Sequence, residues 1–181
     1  MGRRLIFILG GARSGKSTYA QNLAQASGLP VLFVATATAF DEEMAARIEA
    51  HKASRPPHWR TLEAPTGVGM AVRAEPATEL VLLDCLTLLA NNVLFGLSEP
   101  VDEVEYQAAL DHEVDELLEA YRAHSGEWLV ISNEVGLGLV PPYPLGRIYR
   151  DALGRVNQRI AAAADEVLFL VAGIPMTVKS K

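Results

Sequence analysis

Short apolar, β-favouring runs recur along the chain at residues 4–9, 31–35, 80–84, 128–132 and 167–171. Each is nearly continuous in hydrophobicity rather than alternating, the pattern of strands buried on both faces of a parallel sheet. The segments between them carry apolar residues at helical spacing. Tyr19, Leu23 and Ala26 mark a helix that starts at Lys16. Residues 41–52 read as another, with Thr38 as N-cap, Asp41, Glu42 and Glu43 at its positive end, and Met44, Ile48 and His51 on one face. Pro56 and Pro57 stop it, and Arg55 before them is extended or at a turn. Residues 101–124 predict a long amphipathic helix with Ala109, Val114, Leu117, Leu118 and Tyr121 inward. Residues 145–164 predict a second, with Ile148, Leu153, Val156 and Ile160 inward. The tail beyond Gly173 fits a last edge strand, although Pro175 counts against it.

Strands alternating with helices predict a mostly parallel sheet covered on both faces, with ligands bound beyond the carboxyl ends of the strands. The first strand delivers Gly10-Gly11-Ala12-Arg13-Ser14-Gly15-Lys16-Ser17 to that edge, the phosphate-loop pattern G-x-x-x-x-G-K-S. Gly10 and Gly15 allow backbone angles and close approaches that a Cβ blocks, so successive N–H groups can face phosphate oxygens. The helix beginning at Lys16 adds its positive end, Lys16 reaches the β- and γ-phosphates, and Ser17 suits Mg²⁺. Asp84, closing Leu80-Val81-Leu82-Leu83, is a Walker-B-type carboxylate for the same ion. Polar residues at 35–38, 84–87 and 132–136 end the later strands at this edge. The expected architecture is a three-layer P-loop NTPase-type (RecA-like) α/β fold.

Composition narrows the chemistry. The 181 residues suit one domain, 1–181, with a sizeable core. The net charge of −6 offers no basic footprint for nucleic acid, and N-K-x-D, which reads guanine in GTPase switches, is missing. Arg147, Arg150, Arg155 and Arg159 lie along a helix and suit either a lid over phosphates or a solvated face. Cys85 is the single cysteine, which excludes an internal disulfide and a Cys-based zinc site. The run after Met1-Gly2-Arg3-Arg4 is too short for a secretory signal, and no stretch has membrane-spanning length, so a cytoplasmic, reducing location is expected.

A lone helical histidine is most often surface or satisfied core, and His58, His112 and His124 are read that way. His51 differs because Arg47, Lys52 and Arg55 place cations around it, suited to a polyphosphate. They disfavour a further positive charge on the imidazole, which leaves a lone pair to attack phosphorus.

The stretches 10–17, 41–48 with His51, Arg55-Pro56, Trp59-Arg60-Thr61 and Glu63, then 133–136, Val140-Pro141, Arg150-Asp151, 154–158 and 164–167, together resemble one group. It is the bifunctional adenosylcobinamide kinase/adenosylcobinamide-phosphate guanylyltransferase family of cobalamin biosynthesis, and the resemblance runs from end to end. The resemblance implies a first step in which GTP or ATP phosphorylates the aminopropanol hydroxyl of adenosylcobinamide. It then implies that His51 attacks the α-phosphate of GTP, releases pyrophosphate, and passes GMP to the substrate phosphate to give adenosylcobinamide-GDP. By match, Lys16 and His51 are catalytic, and Ser17 and Asp84 hold the metal. The nucleotide would touch Gly10, Gly11, Ala12, Arg13, Ser14, Gly15, Lys16, Ser17, Ala35, Thr36, Ala37, Lys52, Ala53, Ser54, Arg55, Glu63 and Asp84. Glu63 would accept from guanine N–H groups or from ribose hydroxyls. A homotrimer is implied too. The chain departs from the family pattern in its proline-rich Pro141-Pro142-Tyr143-Pro144 and in Asp84, where some members carry glutamate. A P-loop ATPase switch or motor subunit, or a small-molecule kinase without guanylyl transfer, would use Lys16, Ser17 and Asp84 but have no need of His51.

Overall fold

The computed structural model describes residues 2–39, 42–53 and 55–180, with side chains left out at 43, 44 and 47. The expectations for Asp41, Ser54 and the side chains of Glu43, Met44 and Arg47 therefore lie outside the described residues.

Seven strands, β1 (Arg4–Gly10), β2 (Val31–Ala35), β3 (Arg60–Glu63), β4 (Leu80–Asp84), β5 (Glu127–Asn133), β6 (Glu166–Val171) and β7 (Ile174–Ser180), form one sheet in the order β3-β2-β4-β5-β1-β6-β7. Every neighbouring pair is parallel except β6 with β7. Among the described residues six helices accompany it: α1 (Lys16–Ser27), α2 (Glu42–Ala53), α3 (Val68–Ala74), α4 (Leu86–Phe95), α5 (Glu103–Ala123) and α6 (Pro144–Ala163).

The apolar runs supply both faces of the sheet, because alternate residues of one strand point to opposite sides. Phe7, Val34, Leu83 and Val130 pack with residues of α4, α5 and α6 in one core. Ile8, Phe33, Leu82 and Ile131 pack with Ala20 and Ala24 of α1 in the other. On α1 the buried residues are Lys16, Ala20 and Ala24, whereas Ala26 is exposed: a stripe of small residues lets the helix lie close to the sheet. Ala109 and Ile148 are only partly buried, and the buried positions of α5 and α6 extend to Tyr106, Leu110, Ala152 and Asn157.

Three elements go beyond the sequence reading. β3 has only Leu62 as an aliphatic residue, so no apolar run announced it. α3 is short, and α4 follows β4 after one residue, so its apolar string Leu86-Thr87-Leu88-Leu89-Ala90 merged with the strand. The tail does form β7; Pro175 stands opposite Leu170 on an outermost strand, where a missing N–H disturbs only one ladder. α2 begins at Glu42, beyond Thr38, whose hydroxyl donates to Asn92 Oδ1 at 2.8 Å.

Candidate active site

β1 ends at Gly10 and α1 begins at Lys16, so residues 10–17 form the turn between a buried strand and a helix N-terminus. A Cβ on Gly10 would stand 2.6 Å from both the Leu170 carbonyl oxygen and Ser14 Oγ, which only glycine avoids. Gly15 sits at φ 92°, in the left-handed region, and makes no side-chain cap to α1. The first-turn amides are thereby turned to the cleft with the positive end of the helix dipole. The β6–β7 turn braces the loop from behind, with Gly173 N donating to the Ser14 carbonyl at 2.9 Å.

Lys16 is buried, and its Nζ donates to the Gly11 carbonyl at 2.5 Å and to Ser14 Oγ at 3.4 Å. Burial lowers its proton affinity, opposed by the nearby Cys85 and Asp84. Burial likewise raises the Asp84 carboxyl above the ordinary range. The Ser17 hydroxyl, which donates to it, and the charges of His51, Arg55 and Lys16 pull the other way. Ser17 and Asp84 thus meet although β5 stands between their strands. A hydroxyl joined to a carboxyl is a hard oxygen set, and Mg²⁺ needs only one or two such protein ligands when phosphates and water complete its shell. The residues present fit that ion.

His51 is exposed near the end of α2 and lines two adjoining pockets. One is formed by the phosphate loop from Arg13 to Thr18. The other, of about 240 Å³, has Ser17, Asp84, Arg55, Phe33 and Ile48 among its walls. The expected company of His51 is only partly as read. Lys52 spends its charge on Glu49 (3.3 Å) and Glu63 (2.6 Å) instead of standing free beside the imidazole. Arg55 does face the site, with Cζ 3.7 Å from the centroid of the Phe33 ring. Its Nε and Nη1 are buried without hydrogen-bond partners among the described residues, and burial lowers its proton affinity. A guanidinium so held on an aromatic face keeps donors ready for an anion.

Ala35, Ala37, Lys52 and Glu63 surround a third pocket that shares its Ala35–Ile48 wall with the second. Lys52 holds the Glu63 carboxylate below the usual range, so it stands ready as an acceptor. Thr36 is buried, and its hydroxyl donates to the Cys85 carbonyl and accepts from Cys85 N, both at 2.8 Å; it ties the strand tip rather than facing the cleft. Ala53 is exposed at the end of α2. The α6 arginines form no lid. Arg159 pairs with Asp111 and Asp115, Arg155 with Glu103, Arg150 with Asp151, and Arg147 donates to the Pro141 and Pro142 carbonyls. His124 accepts from Gly126 N and meets Trp128 edge-on, as its structural reading required.

Two contributors escaped the sequence reading. Phe33 was read only as strand, and Asn92 not at all. An Asn inside the apolar string of α4 was the available signal.

The model of a family described as cobinamide kinase / cobinamide phosphate guanyltransferase matches residues 6–178. The bifunctional adenosylcobalamin biosynthesis protein CobU of Escherichia coli (strain K12) is 43% identical, across 97% of this chain and 99% of its own. Its counterpart CobP of Pseudomonas aeruginosa is 46% identical, across 96% of both chains. Among solved structures, a prototypical ATPase from the type III secretion system of pathogenic bacteria aligns with TM-score 0.59 at 14% identity, covering 94% of this chain and 52% of that one. The RadB recombinase aligns with TM-score 0.50 at 16% identity, covering 93% and 74%. Both establish the P-loop, RecA-like fold.

Proposed function

Because the chain belongs to the cobinamide kinase / cobinamide phosphate guanyltransferase family, we propose that its two activities share one nucleotide cleft in which His51 is the guanylyl carrier. The protein is a bifunctional kinase and guanylyltransferase of adenosylcobalamin biosynthesis. The observation that carries the assignment is the position of His51, in the wall common to the phosphate-loop pocket and the Asp84–Arg55 pocket.

In the kinase step the loop amides and Lys16 hold the triphosphate while the substrate hydroxyl attacks the γ-phosphorus. An O–P bond forms, the bond to the β-bridging oxygen breaks, the hydroxyl gives up its proton, and a nucleoside diphosphate leaves. In the second step a ring nitrogen of His51 attacks the α-phosphorus of GTP. A P–N bond forms, the bond to the bridging oxygen breaks, and pyrophosphate leaves. The phosphate of cobinamide phosphate then displaces the imidazole, so the P–N bond breaks and cobinamide-GDP forms. Arg55 donates to the phosphate oxygens as their charge develops. Lys52 keeps Glu63 ionised and aimed at the nucleotide's base or ribose. Ser17 and Asp84 would hold Mg²⁺, which when bound neutralises phosphate oxygens. Residues 1–181 work as one unit in the cytoplasm; among the described residues no helix is long and apolar enough to cross a membrane. Self-association as a homotrimer fits the exposed Ile174, Met176 and Val178 of β7, and sedimentation equilibrium would report three copies or refute it.

GTP labelled at the α-phosphate tests the His51 role. The wild type takes up acid-labile, base-stable label, and His51→Asn takes up none while retaining γ-phosphoryl transfer. Loss of both activities would make His51 structural.

A further inference from the structure

None of the described side chains of α2 belongs to either core cluster. Among the described residues, the contacts that anchor the helix carrying His51 lie at its two ends. Its exit is anchored by Trp59, buried and stacked on Phe33 with ring centroids 6.5 Å apart. Its lead-in, residues 36–38, is tied to β4 through Thr36, whose N donates to the Asp84 carbonyl, and to α4 through one amide. Asn92 Nδ2 donates to the Thr36 carbonyl at 2.7 Å and to the Pro65 carbonyl at 2.9 Å, and its Oδ1 accepts from Thr38 Oγ1 at 2.8 Å. Both amide protons are used, so the side chain has one preferred orientation. Through Thr36, whose hydroxyl spans Cys85, the same knot reaches the residue after Asp84.

We propose that Asn92 is a positioning residue for guanylyl transfer. It fixes the chain between β2 and α2, and so sets the distance from the His51 imidazole to the phosphate loop. It touches no nucleotide. Its three partners are two backbone carbonyls and one hydroxyl, and Thr38 and Pro65 wall the Glu63 pocket. The phosphate loop is built instead from β1, α1 and the β6–β7 turn, to none of which Asn92 is hydrogen-bonded among the described residues. The two half-reactions should separate when Asn92 is changed. A misplacement of about 1 Å can lower an in-line attack about a hundredfold, whereas the phosphate loop and Lys16, which hold the γ-phosphate, lie outside the knot.

The inference rests on His51 being the guanylyl carrier, and the test keeps the two apart. Single-turnover uptake of α-labelled GTP at saturating nucleotide is measured beside γ-phosphoryl transfer to cobinamide, for the wild type, Asn92→Leu and Thr38→Val. Asn92→Leu should slow labelling about a hundredfold with phosphoryl transfer nearly unchanged. Thr38→Val, which removes one bond of three, should slow labelling by a smaller factor. It carries the test alone if Asn92→Leu does not fold. Labelling as fast as wild type in the variants, or equal losses in both half-reactions, would overturn the positioning role. A wild type that takes no label would overturn the His51 assignment and this inference with it.

Discussion

Burial raises the Asp84 carboxyl above the ordinary value of 3.8, even with the Ser17 hydroxyl, His51, Arg55 and Lys16 opposing it. A carboxyl whose proton is held more tightly folded than unfolded loses folding stability as pH rises from that ordinary value through the folded one. On the proposed reading, an ionised Asp84 serves the chemistry at the expense of the fold. In metal-free buffer, urea unfolding should therefore show Asp84→Asn gaining on the wild type as pH is raised from about 4 to 7, while both half-reactions are lost. A gap that stays constant or narrows would contradict the burial argument. Cys85 beside it is pushed up to about 11 by burial and by Asp84, so it remains a thiol at neutral pH. The residues most readily legible in the sequence were those whose chemistry depends on local spacing: Gly10, Gly15, Lys16 and Ser17. Spacing could not show that Lys52 spends its charge on Glu63, because that carboxylate arrives on a strand with one aliphatic residue.

The helices divide into those with side chains in a core cluster and α2, which has none among the described residues. α5 buries seven side chains and begins at Asp102, whose carboxylate accepts from Val104 N and Glu105 N, both at 2.9 Å. Asp102→Ala should cost about 1 kcal/mol of unfolding free energy by chemical denaturation and leave guanylyl transfer unchanged, because α5 lies on the face of the sheet away from α1. An equal effect on transfer would show that the two faces are coupled. α2 has the opposite profile among the described residues: no side chain in a core cluster and, near its end, the exposed histidine proposed as the guanylyl carrier, which is where low local stability is expected. Its existence was legible from Pro56, Pro57 and the acidic start. Its attachment was not, since the Asn92 knot joins positions 36, 38, 65 and 92, and only the folded sheet brings them together.

At the scale of the molecule, the sheet order decides which motifs cooperate. Parallel strands bring every carboxyl end to one edge, so the phosphate loop of β1 and Asp84 of β4 share a cleft across the intervening β5. Continuous apolar runs made the parallel sheet legible, and 14–16% identity to two P-loop structures shows how little of the rest that fold needs. Strand order was beyond reach of the pattern, because runs of similar composition do not specify neighbours. Nothing in periodicity distinguished a lid from the α5–α6 ion pairs that now account for Arg155 and Arg159. The central claim is that one imidazole at the rim of the phosphate cradle carries GMP between two phosphates. Peptide mapping by mass spectrometry after incubation with GTP alone tests it most directly: a GMP adduct on the peptide containing His51, removed when cobinamide phosphate is added, is predicted. An adduct on another residue, or an unmodified His51 peptide in protein that still makes cobinamide-GDP, would contradict it.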